Sequence, residues 1–143
     1  GLPPGMKAPA FALPDLSGRP YPFGASPSGQ ALDALAGQGV LLVFASPRCP
    51  ACREMYPHLG TFARKHPEVA VVMVSLGSGE ENREVAREQG FAFPVLEGDE
   101  EVMTAYRVPG VPYFYVLDGE GVIVRSGFAV REEEIAALVA GGE

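Results

Sequence analysis

The sequence predicts an α/β fold, with a central mixed sheet that carries helices on both faces. Apolar segments at 40–45 and 69–74 are too short for helices of their own and have the character of strands buried on both faces. A segment of helical periodicity follows each of them. Near the end, a turn at 118–121 separates two more strand-like segments, which indicates an antiparallel hairpin. Alternating strands and helices followed by a hairpin favour parallel and antiparallel neighbours in one sheet.

The first 30 residues are rich in proline, glycine and serine, and they predict an N-terminal extension that contains a hairpin. An apolar alternation at 8–13 is followed by a turn at 15–18. A loop at 26–29 then leads to a short helix predicted at 31–36, which a glycine ends.

The strand at 40–45 is expected to be central, and a helix follows it from Pro50. Proline is tolerated at this first helical position, because its missing N–H would have no partner there. Apolar residues continue at helical spacing through Met55 and Phe62. Pro57 lies inside this pattern, so the sequence predicts a helix that kinks there and continues.

The sequence after residue 74 contains residues typical of helix starts and helix ends. Ser78 and Glu81 have the Ser-x-x-Glu spacing of a capping box, and Gly90 ends the helix that follows. The elements predicted after the strand at 69–74 are a helix at 80–89, a strand at 93–96, a short helix at 100–106, strands at 113–117 and 122–125, and a final helix from about Arg131.

The composition limits the classes of function. With 143 residues, of which 47% are hydrophobic, the chain fits one domain spanning residues 1–143 with a sizeable core. The 11 basic and 18 acidic residues give a net charge of −7, so nucleic acid is not an expected partner. No apolar run reaches the roughly 18–20 residues of a membrane span. The chain begins with Gly1 rather than Met, and we expect a trimmed form of a longer product.

Cys49 and Cys52 are the only cysteines in the chain, and they lie at the predicted start of a helix. The reactive form of a cysteine is the thiolate, which the unpaired N–H groups and the positive dipole end of a helix N-terminus stabilise. Arg48 adds a cationic neighbour if its side chain turns inward. Cys52 is expected on the same helix face, one turn deeper. These positions predict that Cys49 attacks through a mixed disulfide and that Cys52 resolves it.

The same pair has two other interpretations. One is a zinc or copper site, although the chain has no second cysteine pair and the spacing of His58 and His66 is unlike that of common ligand sets. We therefore expect both histidines at the surface or at an interface. The other is a purely structural disulfide, which would contribute little stability because it closes a very short loop. A redox pair is the better explanation, and a metal-binding module stays as an alternative.

The chain resembles the thioredoxin-like fold in three motifs. They are the Cys-Pro-Ala-Cys run at 49–52 after a strand, Pro57 five residues after the second cysteine, and a Val111–Pro112 pair that opens a hairpin. This resemblance covers most of the chain and implies a three-layer sandwich. It also implies that Pro112 is cis and lies opposite the cysteines, and that the backbone of Val111 pairs with the substrate chain.

Other segments resemble particular branches of this fold. The segment at 8–18 resembles the start of exported thiol–disulfide oxidoreductases of the TlpA/ResA-like branch, and of peroxiredoxins. The segments at 44–52 and 108–113 resemble the methylamine-utilisation accessory proteins of MauD type, which are bacterial, membrane-anchored and face the periplasm or the cell exterior. The resemblance implies an exported, anchored, monomeric protein that exchanges disulfides with a protein substrate and a redox partner protein. It implies no cofactor beyond the Cys49–Cys52 disulfide, and no metal.

The chain departs from thioredoxins at two positions. Arg48 stands where they have a tryptophan, and Val43 stands where they have a buried acid that takes the proton of the second cysteine. Some exported relatives use a glutamate from the loop after the next strand, and Glu80 and Glu81 lie near that position. The residues predicted to modulate the cysteine pair are Arg48, Pro50, Glu80 and Glu81. The group that deprotonates the second cysteine is not identified by these motifs.

A peroxiredoxin-like peroxidase is the alternative enzyme. Peroxiredoxins have a proline and a threonine at fixed spacing before their reactive cysteine, and this pattern is missing here. Arg125 is similar only superficially to the arginine of their site. Disulfide exchange with protein substrates is therefore the predicted function.

Overall fold

The computed structural model describes residues 1–24 and 39–141. The elements within these residues are, in order, β1 (Phe11–Pro14), β2 (Pro20–Phe23), β3 (Gly39–Ala45), α1 (Pro50–Lys65), β4 (Val69–Ser75), α2 (Gly79–Gln89), β5 (Val95–Glu97), α3 (Glu100–Ala105), β6 (Tyr113–Leu117), β7 (Ile123–Phe128) and α4 (Glu132–Ala140). The loop predicted at 26–29 and the helix predicted at 31–36 lie outside the described residues.

Five strands form one mixed sheet in the order β5-β4-β3-β6-β7. Strands β3, β4 and β5 are parallel, β6 is antiparallel to β3, and β7 is antiparallel to β6. The prediction of a mixed sheet with the strand at 40–45 in its centre is confirmed. Strand β7 extends three residues beyond its predicted end, because Ser126, Gly127 and Phe128 continue the ladder with β6. Serine and glycine are weak strand formers, so their pairing was not visible in the sequence.

Alternation of side chains along the strands divides the core between two faces of the sheet. Helices α1, α2 and α4 cover one face, where they pack over residues such as Leu41 and Val43; we call it the thiol face. Helix α3 and the β1–β2 hairpin cover the other face, over residues such as Leu42 and Phe44; we call it the hairpin face. This is the three-layer arrangement with helices on both faces that the resemblance implies, and that prediction is confirmed.

The N-terminal extension is a hairpin packed against the sheet, as predicted. Strands β1 and β2 pair antiparallel, and the rings of Phe11 and Phe23 stack with their centroids 4.9 Å apart. A backbone bridge joins Asp15 to Leu96 of β5. The hairpin therefore closes the core on its face of the sheet.

Local signals set the helix ends. Helix α1 begins at Pro50 and continues through Pro57 to Lys65, as predicted, and the kink at Pro57 stays a prediction. Helix α2 has the predicted capping box between Ser78 and Glu81, and it ends at Gly90, whose positive φ of 68° suits glycine. Among the described residues, no helix has the length and apolar character needed to cross a membrane.

Candidate active site

The two cysteines lie at the start of α1, just after the loop that connects it to β3. Cys49 is the N-cap of α1, with extended backbone angles of −97° and 122°, and its sulfur accepts the N–H of Cys52 at 3.3 Å. Its side chain is partly exposed, whereas Cys52 is buried. Both are free thiols in this structure. The predicted helix-start position of Cys49 and the deeper position of Cys52 are confirmed.

The environment of Cys52 favours its neutral form. Burial raises the pKa of Cys52 to about 12, and the neighbouring Cys49 side chain adds to the increase. The N–H of Ser46, which donates to the Cys52 sulfur at 3.4 Å, acts in the opposite direction. Cys52 is therefore a thiol at neutral pH, and it must lose its proton before it can act as a nucleophile.

The loop before β6 faces Cys49. The peptide bond between Val111 and Pro112 is cis, as the resemblance implies, and Pro112 is buried. The thiol of Cys49 donates to the carbonyl of Val111 at 3.6 Å. The sheet explains this approach, because the pairing of Phe44 with Tyr113 brings the start of β6 to the end of β3. Residues 62 positions apart thus meet at one edge of the sheet.

Arg48 turns toward α2. Its Nε and Nη2 atoms donate to the carboxylate of Glu81 at 3.1 and 3.3 Å, and its side chain is 74% exposed. This contact holds the pKa of Glu81 below its ordinary value, with help from the Ser78 N–H. Glu81 also closes the capping box of α2, and Glu80 is exposed in the first turn of that helix. Their predicted influence on the cysteines remains a prediction, since the hydrogen bonds of Glu81 are with Arg48 and Ser78.

Three residues that the sequence analysis did not single out shape this site. Ser46 supplies the backbone donor to Cys52, and Arg53 donates from Nε to the carbonyl of Pro47 at 2.8 Å, which braces the loop before Cys49. Tyr56 is buried, and its hydroxyl has no hydrogen-bond partner. A signal for Tyr56 was available, because residues four apart in a helix share a face and Tyr56 is four residues after Cys52.

Other candidates from the sequence lie away from the thiols. Arg125 donates to the carbonyls of Leu138 and Val139 and so caps the end of α4. His58 accepts the N–H of Glu132 and joins α1 to the start of α4, and its expected place at the surface or at an interface stays a prediction. Within residues 1–24 and 39–141, no group of three or more His, Cys, Asp or Glu side chains is arranged to hold a metal ion.

This fold, with a dithiol at a helix N-terminus opposite a cis-proline, defines a thioredoxin-like protein. The chain belongs to the AhpC/TSA family, whose sequence profile matches residues 4–126.

Two curated relatives and one solved structure illustrate this membership. The methylamine utilization protein MauD of Paracoccus denitrificans is 33% identical over 137 residues, which cover 94% of this chain and 64% of MauD. The thiol-disulfide oxidoreductase ResA of Bacillus subtilis is 29% identical over 125 residues, or 85% of this chain and 65% of ResA. This chain thus spans less than two thirds of either relative. A secreted disulfide oxidoreductase of Mycobacterium tuberculosis, homologous to DsbE of E. coli, has the same fold with a TM-score of 0.74 at 24% identity, covering 92% of this chain and 95% of that one.

Proposed function

We propose that this protein is a thiol–disulfide oxidoreductase that exchanges disulfides with protein substrates through Cys49 and Cys52. One observation carries the proposal. The partly exposed Cys49 sulfur lies between the N–H of Cys52 and the carbonyl of Val111, next to the cis-proline, while Cys52 is buried beside it. This arrangement gives one thiol access to a substrate and keeps the other within the protein. No cofactor beyond the pair itself is part of the proposal.

The first step is attack by Cys49. Its thiolate forms a bond with one sulfur of a substrate disulfide, the substrate bond breaks, and the other substrate sulfur leaves as a thiolate. The N–H of Cys52 donates to the attacking sulfur. Val111 and Pro112 line the side from which the substrate approaches, and we propose that the Val111 backbone pairs with the substrate chain.

The second step is resolution by Cys52. The Cys52 thiol loses its proton, its sulfur bonds to the Cys49 sulfur, and the bond between Cys49 and the substrate breaks. The substrate leaves as a second thiolate, and the protein becomes the Cys49–Cys52 disulfide. The reverse sequence oxidises a substrate dithiol. The reduction potential of the pair decides the net direction, and a titration against glutathione measures it.

The setting of this reaction is also a proposal. The name of ResA supports a thiol–disulfide oxidoreductase, and the M. tuberculosis protein is a secreted disulfide oxidoreductase. Export, a protein substrate and a redox partner protein are part of our proposal. We propose a bacterial, extracytoplasmic protein, monomeric and tethered by an anchor outside this sequence, whose catalytic part is the single domain at 1–143.

Serine substitutions test the assignment of roles. In an insulin reduction assay, Cys49→Ser should abolish turnover, because the attacking thiol is gone. Cys52→Ser should instead accumulate a mixed disulfide with the substrate, visible as a mass increase under non-reducing conditions. Ala51→Ser is the matched control, since it adds a hydroxyl between the cysteines without removing a thiol, and it should keep turnover.

Three results would contradict the proposal. Full turnover by Cys49→Ser is the first. Stoichiometric zinc or copper in the freshly purified protein, lost in Cys49→Ser, would instead indicate a metal-binding module. Thiol-dependent consumption of hydrogen peroxide that exceeds disulfide exchange would indicate a peroxidase.

A further inference from the structure

Phe128 is exposed at the end of the sheet where the loop that faces Cys49 begins β6. It is the last residue of β7, and 60% of its surface is exposed. It pairs with Tyr113, which directly follows the cis-proline. The Phe128 ring therefore lies at the same edge of the sheet as the contact between Cys49 and Val111.

A glycine leaves part of the Phe128 ring uncovered. A Cβ at Gly110, immediately before Val111, would lie 3.5 Å from Cε1 and 3.8 Å from Cζ of Phe128, which are ordinary van der Waals distances. The φ of Gly110 is not positive, so the backbone does not require glycine there. A larger residue would cover this part of the ring. Glycine instead leaves an open space between the ring and the loop, which we call the Phe128 recess.

Tyr113 supports the ring that forms the wall of the recess. The two rings pack edge to face, with their centroids 5.0 Å apart and their planes at 80°. Tyr113 itself is buried, and its hydroxyl lies 3.1 Å from the hydroxyl of Ser126 on the neighbouring strand. A side chain that enters the recess thus meets a ring that is already packed, so binding costs little further ordering.

The recess adjoins the reactive thiol. Gly110 is bonded to Val111, whose carbonyl accepts the Cys49 thiol at 3.6 Å. We have proposed that the Val111 backbone pairs with the substrate chain, and an extended chain advances by about 3.3 Å per residue. When the substrate sulfur bonds to Cys49, the recess is therefore within reach of side chains about one to three residues from the substrate cysteine.

The size of this apolar surface fits one side chain better than a second copy of the protein. An aromatic side chain buries about 150–250 Å², whereas a stable dimer buries about 800 Å² on each partner. Met6, which is 43% exposed, does not enlarge the surface. Its carbonyl accepts the N–H of Ile123, so Met6 lies at the first residue of β7 and Phe128 lies at the last.

We propose that the Phe128 recess binds one large apolar side chain of the substrate, close to the reacting cysteine, and that Phe128 and Gly110 determine specificity. The substrate class is an extended polypeptide segment in which a phenylalanine, leucine or similar residue flanks a cysteine. Because burial of apolar surface drives this contact, it favours size and hydrophobicity and is indifferent to charge. This inference rests on the proposed function and names its substrate class.

Three synthetic peptides test the recess. Each carries a single cysteine as a mixed disulfide with thionitrobenzoate, and they have phenylalanine two residues before the cysteine, phenylalanine two residues after it, or serine at both places. Disulfide exchange with the protein releases the coloured thionitrobenzoate anion, which gives a second-order rate constant. Each rate is divided by the rate of the same variant with dithiobis-nitrobenzoate, so a general change in Cys49 reactivity cancels. The better phenylalanine peptide should react about fivefold or more faster than the serine peptide.

Substitutions in the recess should reduce this preference. Phe128→Ala removes the wall and should abolish the difference between the peptides, whereas Phe128→Leu retains an apolar wall and should keep part of it. Gly110→Ala places a methyl group against the ring and should also lower the preference. Met6→Ala is the matched control, because it removes an exposed apolar side chain at the other end of β7, and it should keep the wild-type preference. High salt should not weaken the preference, since screening acts on charges.

The possible failures separate this inference from the proposed function. Equal rates for the three peptides in the wild type, or an unchanged preference in Phe128→Ala, would overturn the recess and leave the oxidoreductase intact. A concentration-dependent dimer that Phe128→Ala abolishes would also overturn it, because the surface would then belong to a second copy. Absence of thionitrobenzoate release from every one of these compounds would overturn the proposed function itself.

Discussion

The two faces of the sheet differ in whether their buried tyrosine hydroxyls have hydrogen-bond partners. On the hairpin face, Tyr106 donates to the carbonyl of Pro9, and Tyr115 donates to the carbonyl of Tyr106 and accepts the N–H of Leu2. On the thiol face, Tyr56 has no partner. Satisfied polar groups stabilise a unique packing, whereas titratable groups left buried without partners are typical of functional sites. The two faces thus differ in one observed respect: the hydroxyls of Tyr106 and Tyr115 are hydrogen-bonded, and that of Tyr56 is not.

The tyrosine hydrogen bonds of the hairpin face hold the N-terminal segment against the rest of the domain. They attach the N-terminal segment to residues 97 and 113 positions away. Backbone bonds reinforce the attachment, since Gly5 donates to the carbonyl of Ile123 at 2.7 Å and the N–H of Ile123 donates to Met6 at 2.8 Å. Burial raises pKa values on both faces, those of Cys52 and Tyr56 on the thiol face and that of Tyr106 on the hairpin face.

The largest effect should come from the aromatic cluster of the hairpin face. Phe44 is fully buried in the central strand, and its ring lies 5.1 Å from that of Tyr106 and 6.0 Å from that of Tyr115. Phe44→Ala should lower the free energy of unfolding by about 3–5 kcal/mol in urea denaturation. Phe128→Ala removes the same ring from a position that is 60% exposed and should have a much smaller effect. Equal losses in the two variants would show that the cluster does not stabilise this face.

A smaller loss of stability is expected when Tyr106 is replaced by phenylalanine, and none when Tyr56 is. Tyr106→Phe leaves the carbonyl of Pro9 without its donor and should lower the free energy of unfolding by about 1–3 kcal/mol. Tyr56→Phe removes a hydroxyl that has no partner and should cause no loss. Urea midpoints of the reduced proteins measure both changes. If Tyr56→Phe is as unstable as Tyr106→Phe, the contrast between the faces is wrong.

The effect that is smallest at neutral pH is a dependence of stability on pH, because it begins only above pH 9. The pKa of Cys52 rises from an ordinary value of 9.0 to about 12 in the folded protein, so folding favours its neutral form. The stability from this group is fully present below pH 9 and is lost as the pH rises toward 12. The contribution of Cys52 to the free energy of unfolding should fall by about 1.4 kcal/mol per pH unit in that window. Cys52→Ala should make the slope shallower from pH 9, below the ordinary tyrosine pKa of 10.0, and Cys49→Ala should keep it. An identical slope in Cys52→Ala would contradict the raised pKa.

Much of the fold could be predicted from the sequence because its signals are local. The apolar run of β3, the proline at the start of α1 and the capping box of Ser78 and Glu81 each lie within a few residues of the structure that they determine. The cysteine spacing likewise placed Cys49 at the helix start and Cys52 one turn deeper. The cis peptide bond before Pro112 was predicted from the family resemblance, because the residue pattern by itself does not indicate it. The structure confirms this prediction.

Other features could not be predicted, because they join residues far apart in the chain. The sequence left open whether Arg48 turns toward the cysteines, and the structure pairs it with Glu81, 33 residues later. Strand β7 extends through Ser126 and Gly127 because β6 offers them partners, despite their weak strand propensity. Local propensity carries no information about such partners.

The two cysteines show most clearly what the sequence determined and what the tertiary structure determined. The sequence by itself located the pair and its helix, and it predicted the order of attack, since two thiols three residues apart at a helix start are expected to differ in access. Only the tertiary structure decided what surrounds Cys52: the Ser46 N–H, burial that raises its pKa, and the unpartnered Tyr56 hydroxyl. Burial and missing partners depend on every element packed around a group, and no single stretch of sequence specifies them.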